Sequence, residues 1–298
     1  MSWLLQGKHE GHAERLKQLV RQARAQAVPG VYDPLSALLA RQAGFRALYL
    51  SGAALSASLG LPDLGVMTAD ELVMACRRIV RAADLPVIVD ADTGYGERLN
   101  VMRLVRELEE AGAAAIQIED QEMPKKCGHL DGKHLVSRDE MVSRLRDVLT
   151  ARKSLLVVAR TDARGVLGMD EAVARARAYV QEGADLVFPE GLLSEEEFAR
   201  FRDAVDVPLL ANMTEFGKTP HLSVAHFERL GYALVIFPVT ALRLAAKAMA
   251  GGFAVLRERG TVQDLLPEML SRRELYDLIE YAAHEGQARL ARETSSGE

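Results

Sequence analysis

The residues best equipped for chemistry cluster in Glu119-Asp120-Gln121-Glu122-Met123-Pro124-Lys125-Lys126-Cys127-Gly128-His129. This segment follows an alternating apolar run, 114–118, that reads as a strand ending at the acidic pair. Cys127 sits on the loop beyond, beside Lys125, Lys126 and His129, and cationic neighbours favour a thiolate. An inert surface thiol among solvated lysines fits the same letters, so the residues alone leave both readings open. Asp90 and Asp92 lie two apart near the end of another predicted strand, a spacing that turns both to one face, and Glu119 ends the neighbouring strand. Carboxylates without soft ligands suit a hard cation, Mg²⁺ first and Mn²⁺ second. Structural ion pairs with Arg160 or Arg243 are the alternative use of the same acids. Arg160, Arg243, Lys125, Lys126 and His129 could grip a small substrate bearing two or three carboxylates, with Asn212, Thr214 and the Ser51-Gly52 amides as neutral donors or as turn formers.

These groups need elements that bring them together, and the chain has such a rhythm. A helix is predicted over 10–27, followed by strands over 28–33, 46–52, 85–92, 114–119, 155–162, 185–190, 207–214 and 233–240. Helices alternate with them: one capped by Thr68, one over 99–111, one opened by the Ser137-Arg138-Asp139-Glu140 capping-box pattern, one over 169–182 and one from Ser194. Most strands are apolar throughout, as when both faces are covered. A doubly wound sheet shares that pattern, but eight units in this length favour a closed α/β barrel of the (β/α)₈ TIM type, one domain over 1–298 with a helical extension from about 242. In such a barrel the site lies at the carboxyl ends of the strands, where Tyr49, Ser51, Gly52, Asp90, Asp92, Glu119, Arg160, Asp162, Glu190, Asn212, Thr214, Thr240 and Arg243 fall. The later helices, including one over 271–291, exceed what closing a barrel requires; they pack on another subunit or cover the barrel's bottom.

Composition narrows the classes. With Lys+Arg 37 against Asp+Glu 42 and no long run of one sign, nucleic acid is an unexpected partner. Two cysteines give no disulfide framework and fit a reducing cytoplasm. The apolar part of 1–8 is too short for a signal peptide, no later run reaches membrane-spanning length, and the tail 293–298 is expected to be disordered.

The chain resembles the isocitrate lyase/phosphoenolpyruvate mutase superfamily. The matching pieces, in the family's order, are 49–52, 58–63, Val89-Asp90-Ala91-Asp92-Thr93-Gly94-Tyr95-Gly96, 118–121, Lys125-Lys126-Cys127-Gly128-His129, Ala159-Arg160-Thr161-Asp162, Phe188-Pro189-Glu190 and 212–217. The Lys-Lys-Cys-Gly-His loop marks its lyase branch, and the chain is too short for the insertion of isocitrate lyases proper. The resemblance implies a Mg²⁺-dependent carbon-carbon lyase, cleaving 2-methylisocitrate to pyruvate and succinate in propionate catabolism, as a homotetramer with swapped helices. It implies Asp90, Asp92 and Glu119 around the metal, Cys127 as proton donor tuned by His129 and Lys125, and Tyr49 as base assisted by Arg160. For substrate it implies Ser51, Gly52, Ala53, Gly128, Arg160, Glu190, Asn212, Thr214 and Arg243, with Phe188, Ile236 and Pro238 leaving room for the methyl group. Ala53-Ala54 departs from the family's glycines. The alternatives are a lyase of 2,3-dimethylmalate or isocitrate and, from another class, a non-catalytic carboxylate-binding protein.

Overall fold

The structure, a computed structural model, describes residues 11–295. The 1–8 stretch and the last three residues of the polar tail lie outside them. Eight strands alternate with helices: β1 Gln26–Val31, β2 Leu48–Leu50, β3 Val87–Asp90, β4 Ala115–Glu119, β5 Leu156–Thr161, β6 Leu186–Pro189, β7 Leu210–Asn212 and β8 Leu234–Phe237. All pair in parallel, with β1 to β6 in succession, β8 against β1 and β7 against β8. A single parallel bridge, Val187 to Leu209, joins β6 to β7 and completes the barrel.

Period-two alternation divides each strand. Outward residues such as Val31, Leu50, Val89, Ile118 and Val157 pack beneath the first helices of the ring, α2 Pro34–Gln42, α4 Ala69–Ala83, α5 Arg98–Glu110 and α6 Arg138–Ala151. Val187, Ala211 and Val235 pack instead beneath α8 Met169–Glu182, α9 Glu195–Ala204 and α10 Val224–Arg229. Inward residues Val28, Tyr49, Ile88, Ala115, Val158, Phe188, Leu210 and Ile236 fill the barrel. The bottom is closed by α1 His12–Val20, whose Leu16, Leu19 and Val20 join that inner cluster, so the plug is the N-terminal helix and not the C-terminal ones.

Several boundaries differ from the sequence reading. α1 stops at Val20, and β1 begins at Gln26, not 28. Ser51 opens a short helix, α3 Gly52–Ser58, by accepting from Ala54 N at 3.2 Å, where no helix was expected. Another short helix, α7 Ala163–Leu167, precedes α8. Thr68 and Glu71 form a full capping box, whereas at Ser137 only the hydroxyl half is made. After β8, α11 Thr240–Arg259 runs unbroken through Gly251-Gly252, followed by a 3₁₀ turn. The single last helix expected over 271–291 is two, α12 Arg272–Leu278 and α13 Tyr281–Ser295, because Glu280 adopts φ 57° between them. α13 also holds 293–295 in helix, part of the tail expected to be disordered. Among the described residues no helix is long and apolar enough to cross a membrane.

Candidate active site

Inward positions turn polar toward the top of each strand, which is how the fold collects its reactive groups. Ile88 gives way to Asp90, Ala115 to Gln117 and Glu119, Val158 to Arg160, Phe188 to Glu190 and Leu210 to Asn212. Strand register then sets Asp90 beside Gln117 and Glu119 beside Arg160. Asp92 arrives differently from what spacing suggested: β3 ends at Asp90, and a left-handed turn, φ 47° at Asp92, swings the second carboxylate back to the first. Carboxylate oxygens of Asp90, Asp92 and Glu119 lie within 4.8 Å of one another, all buried.

This trio fits a divalent cation. Asp92 Oδ1 and Glu119 Oε1 are buried without a hydrogen-bond partner. The Lys125 ammonium pairs with Asp63 and, at 2.8 Å, with Asp92 Oδ1, which leaves Glu119 Oε1 as the oxygen with no cation or donor of its own. Among the described residues, the ion pairs of Asp63, Asp92, Glu119, Asp162 and Glu190 run to Lys125, Lys133 and Arg160, with His129 also beside Glu190 and Arg144 held by the Glu119 carbonyl. Burial first, then Asp90, push Asp92 up to about 7. Burial likewise drives Glu119 well above the carboxylate range, with Arg160 opposing and Asp162, Asp92 and Asp90 adding to it. Such an anion surplus, with lone pairs free, is what an O-ligated cation relieves.

Arg160 is the charge hub. It is 8% exposed, forks onto Asp162 at 2.9 and 3.2 Å, reaches Glu119 at 3.1 Å and Glu190 at 3.5 Å, and lies over the Phe188 ring. Burial works against its charge, but these three carboxylates hold the guanidinium protonated. Asn212 donates to Glu190 at 3.1 Å. His129 Nδ1 accepts from Lys218 N at 3.2 Å, which assigns the proton to Nε2, 3.4 Å from Glu190.

The cysteine loop is docked, not splayed. Its base is an antiparallel bridge, Gln121 to Leu135, and the Gln121 side chain bonds Lys126 N and O at 3.0 and 2.9 Å. Neither flanking lysine serves the sulfur as expected: Lys125 turns to Asp63 and Asp92, and Lys126 to Gly132 O. Cys127 is solvent-exposed at its surface, yet the protein around the sulfur raises its pKa, desolvation outweighing the His129 amide. Of the two readings of the sequence, these surroundings favour the thiol over the thiolate, the form in which the resemblance casts Cys127 as proton donor.

Three further expectations change. Tyr49 OH is buried and donates to Gln117 Oε1, while Gln117 Nε2 donates to Asp90 at 3.0 Å. Burial and Asp90 push this phenol well up, so it positions the acid cluster and is not poised to take a proton. The Ser51 hydroxyl serves as helix cap and the Gly52 amide donates to Asp90 at 3.2 Å, so neither is a free donor; Ala53 follows in the first turn of α3. Arg243 lies near the start of α11, half-exposed, over Phe216 and 3.8 Å from Glu215, so its guanidinium is engaged outside the trio. Ile236 and Pro238 are buried and Thr214 half-buried near the strand ends. Sequence reasoning missed Gln117, whose signal was a polar residue inside an apolar strand. It also missed Lys133, for which the sequence carried no signal.

The profile of the phosphoenolpyruvate phosphomutase family matches residues 16–256. The chain is 55% identical to the 2-methylisocitrate lyase of Aeropyrum pernix over 270 residues, covering 91% of this chain and 88% of that protein. It is 50% identical to the 2-methylisocitrate lyase of Bacillus subtilis over 287 residues, covering 96% and 95%. A crystal structure of 2,3-dimethylmalate lyase, a member of the phosphoenolpyruvate mutase/isocitrate lyase superfamily, superposes with a TM-score of 0.87 at 37% identity, covering 94% of this chain and 96% of that one.

Proposed function

The chain belongs to the phosphoenolpyruvate phosphomutase family, and from that premise we propose that it is a carbon-carbon lyase cleaving 2-methylisocitrate to pyruvate and succinate, a cytoplasmic step of propionate breakdown. The observation that carries the reading is the buried Asp90, Asp92 and Glu119 trio, joined through Lys125 to the docked loop that bears Cys127. Asp90, Asp92 and Glu119 would hold Mg²⁺, with Mn²⁺ as substitute; when bound it supplies positive charge to the substrate's hydroxyl and adjoining carboxylate. Arg160, fixed over Phe188, orients a second carboxylate with help from Asn212 and Thr214, while Arg243 screens charge at the rim. Gly128 and the start of α3 at Gly52 and Ala53 let backbone approach the substrate, and Phe188, Ile236 and Pro238 shape an apolar floor for the methyl group. The hydroxyl proton leaves to a carboxylate of the site as the carbon-carbon bond breaks. Cys127 gives its proton to the carbon released as succinate, and Lys125 and His129 hold the loop that carries it.

The overlap with 2,3-dimethylmalate lyase gives a second reading of the same chemistry on a smaller substrate. Assembly into a homotetramer through exchanged helices is supported by α11, which buries none of its residues and leaves Leu244 and Phe253 each 68% exposed. The test is keto-acid release from 2-methylisocitrate, isocitrate and 2,3-dimethylmalate with Mg²⁺, for wild type and Cys127→Ser. The variant should bind Mg²⁺ normally and lose about 10²- to 10⁴-fold in kcat. Normal turnover in it would remove Cys127 from the chemistry.

A further inference from the structure

Lys133 lies six residues beyond the cysteine and outside every motif that pointed to the site. Yet it is only 7% exposed, and its ammonium donates to two groups that matter. One is the carbonyl oxygen of Gly128, the residue after Cys127. The other is Asp162 Oδ1 at 2.7 Å, the same carboxylate that receives the Arg160 fork. The far limb of the loop thus folds back, grips the peptide next to the sulfur and ties it to the end of β5. Asp162 is itself immobile: its amide donates to Asp120 Oδ1 at 2.9 Å, and buried Asp120 also accepts from Thr161, Tyr179 and Arg175 at 2.7, 2.8 and 3.2 Å. The anchor is therefore built into the barrel wall.

We infer that Lys133 is the latch of the cysteine loop, a positioning residue that sets Cys127 over the bound substrate and whose docking is coupled to Arg160 through their shared partner Asp162. The inference rests on the lyase reading for its kinetic consequence but not for its structural one. With the loop docked, Asp162 Oδ1 accepts from both the Lys133 ammonium and Arg160 Nη2, while Oδ2 accepts from Arg160 Nε. With the loop lifted, Asp162 has Arg160 alone, and the Gly128 carbonyl returns to water. Docking therefore brings a second cation onto the oxygen that Arg160 Nη2 already uses, so the seating of the loop and the position of the guanidinium are set by one shared acceptor. Gly128 gives the latch little tolerance, because a carbon added there would stand 2.6 Å from Arg160 Nη2. A register shift of the loop by a fraction of that distance would misplace the sulfur.

The test compares wild type, Lys133→Met and Lys133→Arg by amide exchange over 125–132 with Mg²⁺ present, and by kcat and KM on 2-methylisocitrate. In Lys133→Met the loop amides should exchange at least about tenfold faster, as expected when a buried hydrogen-bonded charge is lost. Its kcat should fall about 10- to 100-fold, its Mg²⁺ affinity should not weaken, and Lys133→Arg should recover part of the kcat. Unchanged exchange in Lys133→Met overturns the latch. Faster exchange with unchanged kcat overturns the positioning role. If wild type fails to cleave the substrate while the exchange difference persists, the latch stands and the lyase reading falls. Should Lys133→Met not fold, Asp162→Asn removes the other half of the anchor and is read by the same exchange.

Discussion

Replacing Gly128 with alanine isolates loop docking from the chemistry. The Cβ built at Gly128 stands 2.4 Å from Glu190 Cγ, 2.7 Å from Glu190 Cδ and 2.6 Å from Arg160 Nη2. Neither neighbour can easily retreat: Glu190 is held by the Gly191 and Asn212 donors, and Arg160 by the Asp162 fork. The backbone at Gly128 is not left-handed, so the whole effect is steric. Overpacking a tight site costs about 1–3 kcal/mol, which lowers the docked-to-lifted ratio about 5- to 150-fold if the strain is relieved by lifting the loop. The barrel core does not include the loop, so Tm should move by less than about 2 °C. A steady-state assay coupling released pyruvate to NADH oxidation reads kcat, and calorimetric titration with Mg²⁺ reads the acid trio. The expected result is a kcat reduced by up to that factor with Mg²⁺ affinity not weakened, since lifting the loop takes Lys125 off Asp92. Gly165→Ala is the control, since its added carbon meets only Lys133 Nζ at 3.7 Å. A Gly128→Ala enzyme with kcat within twofold of wild type would refute the claim that turnover requires the docked loop.

Asp92, raised by burial and Asp90 to about 7, makes the ion-free protein pH-sensitive. Its folded pKa lies above the ordinary carboxylate value, so the stability it contributes is complete below about 4 and is lost as pH climbs through 7. Protons and Mg²⁺ compete for the same oxygens, so calorimetry from pH 5 to 8 should show affinity weakening up to about tenfold per unit below 7; a flat profile counts against Asp92 as ligand. Thiol titration should find one reactive cysteine per folded chain, Cys127, and two after denaturation, because Cys76 is buried with its pKa pushed up to about 12. Two fast-reacting thiols in the native protein would contradict the packing of α4. Phe253→Asp on the uncovered face of α11 should shift light-scattering mass to a smaller assembly, and an unchanged mass would move the interface elsewhere.

The barrel was legible because parallel strands covered on both faces spell continuous apolar runs, and the site because charged letters interrupt them at one end. What stayed hidden was set by backbone turns or by contacts distant in sequence. Asp92 joins Asp90 through a left-handed turn that spacing alone mistook for strand alternation. Gln117 is a polar letter in an inward register, readable only once Tyr49 and Asp90 are known to flank it. Adjacency in sequence placed Lys125 and Lys126 beside the cysteine, whereas their long side chains leave it for carboxylates and a carbonyl elsewhere. α1 was legible as an amphipathic helix, but nothing local says that Leu16 and Leu19 plug a barrel formed by residues up to 237.

The charges also explain why one loop does so much. Lys125, His129 and Lys133 all lie between the two ends of the Gln121 to Leu135 bridge, and each reaches a different carboxylate of the mouth: Asp92, Glu190 and Asp162. A barrel mouth with an anion surplus is therefore its own attractant for the segment that carries Cys127. A divalent ion at Asp90, Asp92 and Glu119 would relieve the same surplus that Lys125 relieves at Asp92, so ion binding and docking at that point would compete for charge, while Lys133 and His129 act on carboxylates outside the trio. Binding linkage is reciprocal: whatever factor the ion changes in the docked fraction, docking must change in ion affinity. The same free energy measured from both sides, by amide exchange over the loop with and without Mg²⁺ and by Mg²⁺ titration of wild type and Lys125→Met, should agree in sign, with the variant binding the ion more tightly. Weaker binding in the variant would mean that Lys125 supports the ion site instead of competing for it.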